Sequence, residues 1–240
     1  MISSSSRRPV MVEGLLLVHK PAGPTSHDVV QIVRRKLSER RIGHTGTLDP
    51  AAQGLLILLV GAATASQRAF QHQHKVYEAT MQLGVQTDTG DAAGQSIRTA
   101  PVPVLDPRRI AEVLAAFRGP VSQTPPAYSA VKVSGHPAYW WARLHQPVTL
   151  SARVVHIAAI TLVHWNAQAV TFRVECSAGT YDRVLAESIA ERLGTVGHVA
   201  RLTRLRIGDW SLDQAKPLAW IVDASPAELI AHLQPVASPA

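Results

Sequence analysis

Hydrophobic and polar positions along this chain follow two periods. In KVYEATMQL, Lys75 to Leu83, they alternate, and Tyr77, Ala79, Met81 and Leu83 point one way, as in a strand with one buried face. AVTFRVEC, Ala169 to Cys176, alternates as cleanly and is one of two or three strands expected between Val148 and Cys176. GLLLVHKPAG, from Gly14, reads as a short buried strand running into a Pro/Gly loop. GLLILLVG at 54–61 is apolar throughout and bounded by glycines, the pattern of a central strand covered on both faces. The period changes in TSHDVVQIVRRKL, where Val29, Val33 and Leu37 share one face of a helix capped by Thr25 or Ser26. DPRRIAEVLAAFRG predicts a second helix, with Asp106 as cap, Pro107 in the first turn and Gly119 as stop. YDRVLAESIAERLG predicts a third, with Leu185, Ile189 and Leu193 stacked and Gly194 after them. PPAYSAVKVSGHPAYWWARL reads as extended chain, a turn and a short helix; VARLTRLRIG as a strand; SPAELIAHL as a last short helix. Helices and strands intersperse without strict alternation and without an internal repeat. This predicts an α+β fold, a mixed, largely antiparallel sheet with packed helices.

Composition narrows the class. A hydrophobic fraction of 46% over 240 residues supports a substantial core. Twenty-four Lys and Arg against 17 Asp and Glu leave a net charge of +7, which favours a polyanionic partner, nucleic acid before membrane. Cys176 is the only cysteine, so an intrachain disulfide and a cysteine-based zinc site are both excluded, and the cytoplasm is the fitting compartment. MISSSSRRPV has no signal-peptide apolar region, and LLILLVGAA is too short to span a bilayer.

Several chemistries are absent. The chain has no phosphate-binding glycine loop followed by Lys-Ser/Thr and no dinucleotide fingerprint after a strand. GVQTDTGDAAGQ fails the calcium-loop spacing and reads as a solvated loop; QHQH at 71–74 reads as a polar linker. One carboxylate stands out. Asp49, in RRIGHTGTLDPAAQG, is the only acid between Glu39 and Glu78. Pro50 pushes it out of helical conformation, and Gly43, Gly46 and Gly54 permit sharp turns around it. It is either a carboxylate delivered at the end of a core strand, where open sheets carry ligands, or a turn cap bonded to its own backbone.

GHTGTLDPAAQG resembles the signature of the TruB family of tRNA pseudouridine synthases. GLLLVHKPAGPTSHDVV resembles the family's amino-terminal lysine-proline motif, and KVYEATMQLGVQTDTGDAAGQ its second motif. PPAYSAVKVSGHPAYWWAR, CSAGTYDRVLAESIAERLG and RLTRLRIGDWSLDQA are similar to later blocks in the same order, over roughly residues 14–215. The resemblance implies isomerisation of uridine to pseudouridine at position 55 in the T loop of tRNA, with the base flipped into a pocket. It implies no cofactor, metal, membrane or obligate protein partner, a monomer, and tRNA, through its T arm, as the partner.

It also implies roles. Asp49 matches the catalytic aspartate, Tyr77 the active-site tyrosine and Arg183 the arginine that pairs with the aspartate. By pattern alone, Tyr77 is a core aromatic and Arg183 a solvated charge on a first helical turn. Tyr181 matches a second pocket aromatic, Lys20 a lysine that positions the active-site loop, and His44 a histidine that fills the space left by the flipped base. RRKLSERR, with Arg34, Arg35 and Arg41, joins Arg201, Arg204 and Arg206 as an expected RNA groove, and also suits the end of a helix dipole. Three departures stand out. His19 replaces the usual Asp or Asn before Lys-Pro. Asp182 replaces an apolar residue, an extra carboxylate expected to compete for Arg183 and to raise the pKa of Asp49. The chain also ends early, so the expected organisation is a disordered segment at 1–13, a catalytic domain at 14–215, and a short helical tail at 216–240 without a PUA domain. Two other functions remain open: a catalytically weak or inactive tRNA-binding and folding module on the same fold, and a small-molecule glycoside or nucleoside hydrolase using Asp49 as nucleophile, which lacks an evident second carboxylate.

Overall fold

A computed structural model describes residues 12–236. From the amino terminus come β1 (Gly14–Lys20), α1 (Ser26–Leu37), β2 (Ile42–His44), β3 (Gln53–Val60), α2 (Gln67–His72), β4 (Lys75–Leu83), β5 (Val85–Thr87) and β6 (Ser96–Thr99). Next are α3 (Pro107–Ala115), β7 (Gly119–Gln123), β8 (Lys132–Val133), β9 (His136–Pro137), α4 (Ala138–Arg143), β10 (Arg153–Trp165) and β11 (Ala169–Cys176). The chain closes with α5 (Asp182–Arg192), β12 (Gly197–Ile207), β13 (Trp210–Ser211), β14 (Lys216–Pro217), α6 (Leu218–Asp223) and α7 (Pro226–Ala231).

One large sheet runs in the order β14-β1-β3-β12-β4-β11-β10-β7, with β2 added to β3 and β13 to β12. Only β1/β14 and β3/β12 are parallel, so the sheet is mixed and largely antiparallel, as the patterning predicts. The apolar run of β3 has a simple cause. Leu56, Leu58 and Val60 enter the main core, whereas Leu55, Ile57 and Leu59 enter a second core on the other face, joined by Leu15, Leu17 and Phe70. Tyr77, Ala79, Met81 and Leu83 of β4 face the main core, where Leu185 and Ile189 of α5 meet them.

The ends of α1 follow from its sequence. Thr25 accepts a hydrogen bond from the Asp28 amide at 3.1 Å, and the Asp28 carboxylate accepts one from the Thr25 amide at 2.8 Å, a reciprocal cap. Other boundaries differ from expectation. α3 stops at Ala115 in a tight turn, where the Phe117 and Arg118 amides donate to the Leu114 and Ala115 carbonyls; Gly119, at φ 92°, opens strand β7 instead of terminating the helix. The loop expected at 84–95 contributes β5, which pairs with β6 as a small antiparallel hairpin. Its aspartates bond locally: Asp88 accepts from the Gln95 amide, and Asp91 from Thr89 and the Ala93 amide. QHQH begins inside α2, and the Gln71 and Gln73 carbonyls accept hydrogen bonds from Lys75.

Of the expected lead-in, residues 1–11 lie outside the described residues, and Val12 packs on the main core. Beyond residue 215 the chain folds back: β14 pairs with β1, the Gln234 amide donates to the Leu15 carbonyl at 2.8 Å, and Lys36 donates to the Ala224 carbonyl at 2.6 Å. Among the described residues, no helix is long and apolar enough to cross a membrane.

Candidate active site

Strand register builds the site. Across β1, β3, β12 and β4, Lys20 lies opposite Gly54, Gly54 beside Arg204, and Arg204 opposite Tyr77. Residues from four strands therefore form one row. Gly54 is needed where β3 meets β12. Its φ is 111°, and a Cβ there would lie 2.6 Å from the Arg204 backbone nitrogen.

The loop from Thr45 to Ala52 hangs over this row and is held from several sides. Ser26 Oγ accepts from the Leu48 amide at 2.9 Å and donates to the Leu48 carbonyl at 3.2 Å. Arg204 is 1% exposed and donates to three carbonyls: Leu55 at 2.8 Å, Gly46 at 3.0 Å and Thr47 at 3.3 Å. Lys20 is fully buried; its ammonium donates to the Pro21 and Pro24 carbonyls at 2.9 Å and to Pro50 at 3.4 Å. Burial, reinforced by Arg204, lowers its pKa to about 8.

Asp49 is thereby presented to the buried guanidinium of Arg183. Nε of Arg183 lies 3.1 Å from Asp49 Oδ2, with the Asp49 side chain 39% exposed. The other two nitrogens donate to the Thr89 and Tyr128 carbonyls, each at 2.8 Å. One planar group thus ties the aspartate loop to two neighbouring loops. Among the described residues, no backbone amide bonds to the Asp49 carboxylate, so the turn-cap alternative is not seen.

These groups border a cavity of about 400 Å³ lined by residues that include Asp49, Lys75, Tyr77, Tyr128, Tyr139, Tyr181, Asp182, Arg183 and Arg204. Tyr77 is 9% exposed, and burial pushes its phenol pKa up, so the hydroxyl stays protonated. Tyr181 accepts a hydrogen bond on its hydroxyl from Arg153 at 2.9 Å, with that guanidinium 5.0 Å from the ring centre. Its backbone is clamped by Gln123, which accepts from the amide at 3.0 Å and donates to the carbonyl at 3.3 Å. His44 ends β2, just before the cavity-lining loop; burial and Arg204 lower its pKa. Arg183 stays with Asp49 and forms no ion pair with Asp182.

The arginines do not act as one set. Arg204 lies inside the protein. Arg34 donates to the Ile42 carbonyl at 2.7 Å and ties α1 to β2, and Arg206 pairs with Glu175 at 3.0 Å. Arg35, Arg41 and Arg201 are exposed. Sequence reasoning missed Lys75 and Tyr128 in the cavity wall, and Gln123 and Arg153, which hold Tyr181; only the buried end of the β4 alternation marks Lys75, whose pKa burial lowers to about 8.

In three dimensions the chain resembles solved chains of Cbf5-containing complexes. A chain from a Cbf5–Nop10–Gar1 complex has a TM-score of 0.71 at 27% identity, covering 95% of this chain and 62% of that one. A chain from an archaeal box H/ACA sRNP Nop10–Cbf5 complex has a TM-score of 0.69 at 25% identity, covering 95% and 62%. The chain thus spans about three fifths of those structures. In sequence, the family described as TruB family pseudouridylate synthase (N terminal domain) matches residues 34–182. tRNA pseudouridine synthase B of Aromatoleum aromaticum is 45% identical over 218 residues, 91% of this chain and 70% of that protein. Its namesake in Opitutus terrae is 41% identical over 225 residues, 94% of this chain and 93% of that protein. The chain belongs to the TruB family of pseudouridylate synthases.

Proposed function

We propose that the chain isomerises uridine to pseudouridine at position 55 in the T loop of tRNA, with Asp49 as the catalytic carboxylate. The observation that carries this reading is the Asp49–Arg183 pair at the edge of a cavity with Tyr77 in its wall. The C1′–N1 bond breaks, the uracil turns, and a C1′–C5 bond forms; C5 loses its proton and N1 gains one. Asp49 meets the positive charge that develops at C1′, a task for an oriented anion in a partly desolvated site. The flipped uracil occupies the cavity, where the Tyr77 ring stacks on it and the hydroxyl takes part in proton transfer. Lys20 and Arg204 act as positioning residues through the loop they hold.

The test is conversion of one T-loop uridine in an unmodified T-stem-loop hairpin, read by pseudouridine mapping. Absence of pseudouridine in the hairpin and in full-length tRNA would leave an RNA-binding module in its place. Tyr77→Phe keeps the ring and loses the hydroxyl. Its single-turnover rate on the hairpin falls by roughly 10²–10⁴-fold while binding persists; an unchanged rate would restrict Tyr77 to stacking.

The exposed cations carry a separate expectation. Replacing Arg35, Arg41 and Arg201 with alanine weakens RNA binding and flattens its salt dependence, each lost phosphate contact removing up to about 0.9 from the log–log slope. Arg34 and Arg204 are left in place because they hold backbone carbonyls. A salt titration of hairpin binding with an unaltered slope would place the RNA on another surface.

A further inference from the structure

We infer that Asp182 adds a second carboxyl group to the cavity and, in its neutral form, donates a hydrogen bond to the imide edge of the bound uracil. This rests on the proposed uridine substrate. Asp182 opens α5, is 6% exposed and lines the cavity together with Lys75, Tyr77 and Arg204. Its Oδ1 is buried without a hydrogen-bond partner. Among the described residues, no cation lies within ion-pair distance of it; the neighbouring Arg183 is committed to Asp49 and two carbonyls. A buried polar atom with no partner costs stability, so its presence beside an open cavity points to a partner that arrives with the substrate.

The surroundings set the charge. Facing Asp182 are Arg204 from β12, Tyr77 of β4, Cys176 of β11, Asp49 from the β2–β3 loop and Arg183 on its own helix. Burial is the main influence and raises the pKa; Arg204 opposes it, the Asp49 charge adds to it, and Asp182's own backbone amide and Arg183 oppose it more weakly, leaving a pKa of about 7. Tyr77 and Cys176 are uncharged because burial raises both pKa values. A neutral carboxyl carries an O–H donor beside a carbonyl acceptor. Uracil offers the complement on adjacent atoms, a carbonyl oxygen and N3–H. An ionised carboxylate keeps only acceptors and faces the uracil carbonyl with like partial charge.

The experiment compares the parent with Asp182→Asn and Asp182→Leu in single-turnover conversion of the T-stem-loop hairpin at saturating enzyme, from pH 5.5 to 9 (about the working range for such a pKa). The parent rate falls as pH rises through about 7. Asp182→Asn keeps a donor and an acceptor at every pH; it runs a few-fold below the parent at pH 6 and lacks that fall. Asp182→Leu loses the donor and is slower again, by about tenfold, the worth of one hydrogen bond. Lys20 and Lys75 titrate near 8, and the comparison with asparagine separates them from Asp182.

Melting provides a readout independent of substrate. The carboxyl pKa is raised from 3.8 to about 7 on folding, so the stability it contributes below pH 4 is lost as pH climbs from about 4 to about 7, and the loss levels off above that. Asp182→Asn removes this loss and therefore melts above the parent at pH 8, with the gap closing towards pH 5. An asparagine variant with the parent's alkaline fall, or a leucine variant as fast as the parent at pH 6, overturns the inference and leaves the proposed function intact. A parent that converts no uridine overturns both.

Discussion

Asp49→Asn abolishes isomerisation and leaves RNA affinity within about an order of magnitude, because phosphate contacts supply most of the binding. The substitution keeps the size of the side chain and removes its charge. The Arg183 guanidinium then keeps its bonds to Thr89 and Tyr128 and loses its anion at 3.1 Å. The loop remains in place, since Ser26, Lys20 and Arg204 hold it through backbone atoms and not through the carboxylate. Loss of rate without loss of binding is therefore the expected pattern. Single-turnover conversion and filter binding on the same hairpin measure the two quantities. Substantial turnover in this variant would remove Asp49 from the chemistry, and a collapse of binding would make it an RNA contact.

Arg204→Leu destabilises the protein by roughly 3–5 kcal/mol, because the guanidinium is almost wholly buried and bonded to three carbonyls. Three carbonyls, Leu55, Gly46 and Thr47, lose their donor together, and two of them belong to the loop that presents Asp49. For a domain of this size the melting temperature drops by roughly 10 °C. Activity falls with it, because the loop is no longer fixed above Tyr77. Arg204→Lys restores a charge but not the planar set of donors, and recovers part of the loss. Urea unfolding and thermal melting check the stability; a shift of only about 2 °C in the leucine variant would reduce Arg204 to a spectator.

Much of the fold was legible because its causes are local. The β4 alternation, the Thr25–Asp28 cap and the two-sided burial of β3 are each written in a few consecutive residues. The misread boundaries have local causes of another kind. Gly119 has the residue type of a helix stop but provides the positive φ that opens β7. The loop at 84–95 contains β5, whose three residues carry too little pattern to announce a strand; its pairing with β6 defines it.

The candidate site divides in the same way. Its residue types at Asp49, Tyr77 and Arg183 were visible in the chain through motif order, and the lone acid was visible from spacing alone. The arginines were not separable, since Arg201, Arg204 and Arg206 lie within one strand and look alike. Only the pairing of β12 with both β3 and β4 turns Arg204 inward, leaves Arg201 exposed and gives Arg206 to Glu175. Periods, caps and available chemistry are written locally in the chain, because each depends on neighbours a few residues away. Tertiary structure decided which charges are buried, that Lys20, Gly54, Arg204 and Tyr77 share one row, and that Asp182 borders the cavity. Those outcomes depend on register between strands distant in the chain, where a slip of one residue would turn each side chain to the opposite face.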